Sequence, residues 1–291
     1  RKINTMFWPQ GEGDYRMQNP YWIAYRNLRL NQKKRYMLSA QLSYDITDWL
    51  NISGRVRVDN THTKYEQKLY ASSNLTITEE STQGHYTISK PDETQTYADV
   101  LANINKRFND FSLEANVGAS IVNNRYEDLS YRGPIREKGI PNVFNVFDLD
   151  NTKKKARQDE WQEQTQSIFA SVEVGWKSML YLTLTGRNDW ASQLANSSTP
   201  CFFYPSVGLS GVISEMLTLP EFIDYMKVRG SFSSVGMPYP RNLTSPTYEY
   251  DEANQQWKPK THYPIKDLKP ERTNSWELGL DMRLFKDFSL G

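Results

Sequence analysis

The chain has 291 residues, with 35 lysines and arginines against 34 acids, for a formal net charge of +1. A balance this even gives no reason to expect a nucleic-acid partner, and the basic runs Lys33-Lys34-Arg35 and Lys153-Lys154-Lys155 are short enough to be solvated loops or strand ends. One cysteine, Cys201, excludes an internal disulfide and a paired-cysteine metal site, and no window approaches the roughly 18–20 apolar residues of a membrane helix.

A transmembrane barrel also lacks such windows, because alternate residues face its lumen, so periodicity has to decide. In Tyr36 to Ile46 one face reads Tyr36, Leu38, Ala40, Leu42, Tyr44, Ile46 and the other Met37, Ser39, Gln41, Ser43, Asp45, the alternation of a strand with one apolar and one wet face. After the turn Ile46-Thr47-Asp48, Leu50, Ile52, Gly54, Val56 and Val58 alternate with Asn51, Ser53, Arg55, Arg57 and Asp59. Ala98 to Ile104 and Phe111 to Ile121 repeat the unit about Asn109-Asp110, and Ile168 to Trp176 and Leu180 to Gly186 repeat it about Lys177-Ser178. Phe203 to Ile213 and Met226 to Phe232 form a fourth pair, joined through Glu215 to Asp224, where a short helix is expected. A last clear strand runs from Ser275 to Leu284, with a turn at Lys286-Asp287 and a further strand starting at Phe288.

The connections point to a membrane. Short turns near 47, 109, 177 and 286 alternate with long polar segments at about 61–93, 127–159, 192–200 and 237–271. Short turns on one rim with long loops on the other, and apolar stretches of about 9–11 residues, fit an antiparallel up-and-down transmembrane β-barrel, all-β in class. Trp49, Phe108, Phe111, Trp176, Phe285 and Phe288 flank the short turns, where an interfacial girdle places its rings. Residues 1–33 are expected to be an extracellular loop segment and 34–291 a partial barrel of roughly nine or ten strands.

Lumen-facing charge escapes the cost of facing lipid. The wet-face candidates for the lumen or a plug contact are Arg55, Arg57, Glu173, Arg187, Asp189, Lys227, Arg229, Glu277, Asp281 and Arg283. Loop aromatics stack on sugar rings or anchor protein partners, which makes Trp22, Tyr248, Tyr250, Trp257 and Tyr263 the ligand or partner candidates. His62, His85 and His262 stand far apart in expected loops, and Asp148, Asp150, Asp251 and Glu252 read as solvated loop charge. No motif of a metalloprotease, a serine hydrolase or a P-loop occurs, so neither catalysis, metal nor cofactor is expected.

Several runs carry a family resemblance: Asn19-Pro20-Tyr21-Trp22, then Tyr44 to Leu50, Gly186-Arg187-Asn188-Asp189-Trp190, Phe203 to Ser210, Lys227 to Phe232, and above all Leu268 to Asp281. In this order they resemble the middle of the barrel of SusC-like (RagA-type) TonB-dependent outer-membrane transporters. The resemblance implies a larger barrel of about 22 strands with a plugged lumen, of which this chain would be a part with two unpaired edges and no stability alone. It implies import of oligosaccharides or peptides across the outer membrane of Bacteroidetes-type bacteria, with a SusD-like surface lipoprotein as lid, TonB acting through a plug outside this chain, and membrane lipid around the wall. The alternatives are a passive porin or other outer-membrane protein, and a soluble all-β carbohydrate-binding domain.

Overall fold

The computed structural model describes residues 18–237, 239–251, 254–260, 264–265 and 269–291. The elements in chain order are α1 (Pro20–Arg26), β1 (Asn27–Thr47), β2 (Leu50–Tyr70), β3 (Gly84–Ser89), β4 (Asp92–Phe108), β5 (Phe111–Pro134), β6 (Lys155–Trp176), β7 (Leu180–Ala191), β8 (Cys201–Val212), α2 (Ile213–Met216), β9 (Ile223–Met237), β10 (Tyr248–Asp251), β11 (Gln256–Pro259), β12 (Glu271–Leu284) and β13 (Phe288–Leu290). All but the β10–β11 hairpin belong to one 11-stranded sheet, in the order β1-β2-β3-β5-β6-β7-β8-β9-β12-β13, with β4 also lying between β2 and β5. This near-sequential order is that of an up-and-down barrel wall.

Local chemistry accounts for the turns. Between β6 and β7 the Met179 N–H donates to the Trp176 carbonyl at 2.9 Å, and Lys177 and Ser178 both take positive φ, 52° and 58°. Phe285 and Lys286 repeat this between β12 and β13, with φ of 52° and 67°. Paired left-handed residues give a hairpin the right-handed twist of its strands, and here it is reached without glycine. The second turn is held from outside, because Lys286 N donates to Asp224 Oδ2 at 2.6 Å and Phe285 N to the Phe222 carbonyl at 3.0 Å. The helix expected within 215–224 forms earlier and is shorter, as α2, and residues 217–222 carry no helix.

Strands run well beyond the apolar stretches that announced them. β1 and β2 have 21 residues each and β6 has 22. Of the segments 61–93 and 127–159, only 71–83, 90–91 and 135–154 lie outside strands. The ladder persists beyond the apolar stretches, and there the period-two signal that marks a strand in sequence is lost. Similarly, 1–33 includes α1 and the start of β1.

Two compact units divide the chain. The first comprises Arg1–Leu38, Val58–Gln95 and Asn124–Gln162. Its buried side chains include Trp22, Leu69, Tyr86, Ile135 and Leu149. Trp22 Nε1 donates to Ser73 Oγ at 3.0 Å, the Ala71 N–H donates to Asn142 Oδ1 at 2.7 Å, and Ser81 Oγ donates to the Ile135 carbonyl at 2.8 Å. Phe144 packs on Tyr70 and Tyr86 at 5.0 and 6.0 Å between ring centres. These contacts knit segments 71–83 and 135–154 into one ordered body. Within it, β3 and β4 form one course interrupted at Lys90-Pro91, where proline cannot donate to the ladder. The gap is closed by Lys90 N and Ser89 Oγ donating to Asp128 Oδ1 (3.1 and 2.9 Å) and by Thr63 N donating to the Pro91 carbonyl (2.9 Å).

The second unit comprises Ser39–Arg57, Thr96–Asn123 and Glu163–Gly291. Among its described residues the buried apolar cluster is small: Ala191, Leu194 and Phe202, with Tyr204 and Tyr239 against it. Most of its large apolar side chains are instead exposed, with Leu278 at 93% and Leu42 at 83%. A water-soluble sheet of this size would bury that face.

Candidate functional site: a two-faced wall and an aromatic hairpin

Strand register shows how the second unit separates its chemistry. Val172–Leu184–Val207–Phe232–Trp276, Val174–Leu182–Leu209–Gly230–Leu278 and Trp176–Leu180–Gly211–Val228–Leu280 are three successive rows across β6, β7, β8, β9 and β12. They stack into an exposed apolar band. Side chains alternate along a strand, so the residues between them face the other way. There the rows read Ser171–Thr185–Ser206–Ser233–Ser275, then Glu173–Thr183–Gly208–Ser231–Glu277, then Gly175–Tyr181–Ser210–Arg229–Gly279. One surface is hydrocarbon and the other is hydroxyl, carboxylate and guanidinium.

The structure gathers most of the charged candidates into three groups. Arg55 donates through Nε and Nη2 to Asp99 at 2.9 and 2.7 Å, and the Arg55 and Arg57 guanidiniums each lie 5.3 Å from the centre of the Tyr97 ring. Arg187 donates to Asp189 Oδ1 at 2.7 Å and Ser167 Oγ at 2.8 Å, with its guanidinium 5.7 Å from the Phe169 ring centre. Lys227, Arg229 and Glu277 share a cavity of about 500 Å³ with Thr183 and Ser231. Asp281 stands opposite Lys227 in register, and Arg229 Nη2 lies 3.9 Å from Asp281 Oδ1. Arg229 also lies flat across Gly279, in the space that a side chain there would fill. Glu173 accepts from Thr183 Oγ1 at 2.9 Å, in the same row as Glu277. Arg283 is opposite Tyr225 in register and does not line the cavity.

The loop candidates divide. Trp22 is buried beneath its exposed neighbours Tyr21, Ile23 and Tyr25 and holds Ser73. Tyr248, Tyr250 and Trp257 come together on the β10–β11 hairpin. Its register pairs Tyr248 with Pro259 and Tyr250 with Trp257 on one face, and Glu249 with Lys258 and Asp251 with Gln256 on the other. Tyr250 and Trp257 meet edge to face at 5.4 Å, and Lys258 Nζ bridges Glu249 (3.6 Å) and Asp251 (3.5 Å) behind them. The aromatic face is open, with Trp257 and Tyr248 each 68% exposed. Tyr263 lies outside the described residues.

Sequence reasoning missed several wet-face residues. Tyr97 and Asp99 complete the Arg55–Arg57 group, and they share the parity of a wet strand face in β4, so alternation held the signal. Tyr126 and Trp161 stack at 5.4 Å with 13° between planes, in segments expected to be at or near loops. Arg241 pairs with Glu163 at 2.5 Å over 78 residues of sequence, a contact that no local pattern announces. Among the described residues, no group of histidines, cysteines and acids is placed to hold a metal ion.

The wall described here is that of a known family. The family model for the TonB dependent receptor-like β-barrel matches residues 4–291, and the chain belongs to that family. Its fold is similar to the RagAB peptide transporter (TM-score 0.75, 15% identity, 93% of this chain and 30% of that one) and to the RagAB peptide importer in its 'open-open' state (0.71, 16%, 93% and 30%). The siderophore receptor PiuA from Acinetobacter baumannii is similar over 88% of this chain and 38% of its own, with a TM-score of 0.51 and 14% identity. Identities this low carry the fold alone, and the chain spans about a third of the length of these solved relatives. No curated protein matches the chain.

Proposed function

We propose that this chain is part of the barrel wall of an importer that carries oligosaccharides or peptides across the outer membrane. In this reading TonB acts through a plug held inside the barrel, and a SusD-like surface lipoprotein closes the outer end. The observation that carries it is the separation of faces: three exposed apolar rows back to back with rows of hydroxyls and charges. Such a sheet is satisfied only with hydrocarbon on one side and a polar lumen on the other. The groups around Arg55, Arg187 and Arg229 supply fixed hydrogen-bonding charge for a plug, and the RagAB peptide importers lend their fold to the peptide branch of the reading.

The β10–β11 hairpin is the proposed docking arm for substrate or lipoprotein. An isolated two-stranded hairpin is marginal in water, and its exposed tyrosine–tryptophan face is the kind of surface that anchors a partner. The test is purification of the full-length parent from outer membranes in detergent, with identification of what comes with it. The expected result is a co-purifying lipoprotein with bound oligosaccharide or peptide, lost in Trp257→Ala/Tyr250→Ala while the barrel stays folded. A detergent-free, partnerless monomer overturns the reading. An open, ion-conducting barrel with no plug makes it a porin.

A further inference from the structure

Besides the wet-face cavity the second unit holds a larger one, lined mostly by apolar residues, with Arg55, Asp99 and Ser167 of the charged groups and Ser120 also at its wall. It has a volume of about 720 Å³ and runs across β1, β2, β4, β5, β6 and β7 on the apolar face of the second unit. Small residues at Ala40, Gly54, Ala98 and Ala119 leave it hollow, between larger apolar side chains such as Leu42 and Ile168.

Gly54 has no evident reason to be glycine except the hollow. Its φ is not in the left-handed region, and an added Cβ would meet only the Asp99 carbonyl oxygen, at an ordinary 3.8 Å. Gly118 shows the contrast, since a Cβ there would stand 2.8 Å from both the Phe169 ring and the Val100 carbonyl oxygen. What glycine does at 54 is keep the groove open.

The groove also has a direction. On the strand positions that carry the apolar side chains, Gln166 and Trp190 pair in register beyond Ile168, so an amide and an indole stand at one end of that row. Ala119 lies eight residues beyond the turn-flanking Phe111, and Ile168 eight before the turn-flanking Trp176. Eight residues rise about 27 Å along a strand, or about 20 Å of height at barrel tilt, past the middle of an apolar band about 25 Å tall. With the short turns on the periplasmic rim, the groove opens to the outer leaflet and its polar end sits at headgroup level.

We propose that this groove seats an acyl chain of an outer-leaflet lipid, which in an outer membrane is lipopolysaccharide. The groove is continuous with the hydrocarbon-facing band, which argues for lipid over protein, and its polarity matches a chain with a polar head. The assignment rests on the membrane placement made under the proposed function.

The test is native mass spectrometry of the full-length protein extracted from outer membranes in mild detergent, compared with Gly54→Leu and Ala98→Val. The wild type is expected to retain lipopolysaccharide, and each variant to lose it by about tenfold or more. Leu278→Ala, on the band but outside the groove, is expected to retain it, and heat-modifiable mobility on a gel reports that every variant is folded. A bare wild-type barrel, equal retention in the filled variants, retention of phospholipid only, or a dimer that the filled variants split would each overturn the assignment. A protein that needs no detergent fails the importer reading as well, whereas a detergent-dependent barrel with an empty groove fails this inference alone.

Discussion

Arg55 in β2 places both its Nε and its Nη2 on one oxygen of Asp99 in β4, Oδ2, at 2.9 and 2.7 Å. The two partners are unequal: the Arg55 side chain is half exposed, and that of Asp99 is nearly enclosed. Removing the arginine therefore strands a carboxylate with little water to replace it. Arg55→Met is expected to lower the unfolding temperature of the full-length barrel in detergent, and Arg55→Met/Asp99→Leu to recover most of the loss. Heat-modifiable mobility measures both. A double variant whose loss equals the sum of the losses from Arg55→Met and Asp99→Leu made singly would show that the pair carries no coupling.

Glycine at 118 has a different reason from glycine at 208. The Phe169 ring packs into the space above Gly118, whereas a Cβ at 208 finds nothing nearer than 3.8 Å. Gly118→Ala is expected to cost about 1–3 kcal/mol through overpacking, and Gly208→Ala to be close to neutral. Denaturant titration of the refolded full-length barrel separates the two.

Adjacent residues of β12 give a sharp test of which side meets lipid. Leu278 points out of the apolar band at 93% exposure, and Glu277 points the other way. Leu278→Arg is expected to destabilise the folded barrel in vesicles by about 2–4 kcal/mol if it lies near the midplane. Glu277→Ala is expected to shift it by about 0.5 kcal/mol or less, as for an ordinary wet-surface substitution.

His85 lies in the first unit, at the far end of β2 from the short turn at 48–49, opposite Leu69 and Pro134. Burial pushes its imidazole below the ordinary histidine value, while Glu79 pulls it up and Arg132 adds to the lowering. A depressed value means that the unfolded segment binds the proton more readily than the folded one. The contribution to stability is thus fully present above the ordinary value of about 6.5 and is lost as pH falls from there through the folded value. Amide exchange across 71–89, corrected for its intrinsic pH dependence, is expected to speed up between about pH 7.5 and about pH 5.5. His85→Leu is expected to flatten that change.

Much of this was written in the sequence, and the exceptions share a physical cause. The alternation of Leu50 to Val58 with Asn51 to Asp59, and the aromatics beside each short turn, announced the strands that cross the apolar band, because a membrane on one side and water on the other imposes period two. Tyr65 to Tyr70 and Lys155 to Trp161 are strand as well, beyond the apolar band, where nothing imposes alternation. The β10–β11 hairpin hid within a segment expected to be a loop, although Tyr248, Tyr250 and Trp257 were already singled out for their chemistry. Parity along each strand puts the charged residues opposite the apolar rows. It could not say that Arg229 would lie over Gly279, which depends on a register that sequence leaves open.

The break at Lys90-Pro91 has a mechanical meaning. A continuous ladder transmits a tug at its tip down its whole length, one hydrogen bond after another. Here the six residues of β3 are held on their own, and below them the Asp128 clip and the Thr63–Pro91 bond begin a fresh set of attachments. Peeling that starts at the 71–83 connection is expected to stop at residue 90. The break acts as a rip-stop: whatever pulls at segment 71–83 can open six residues without unzipping the rest of the strand.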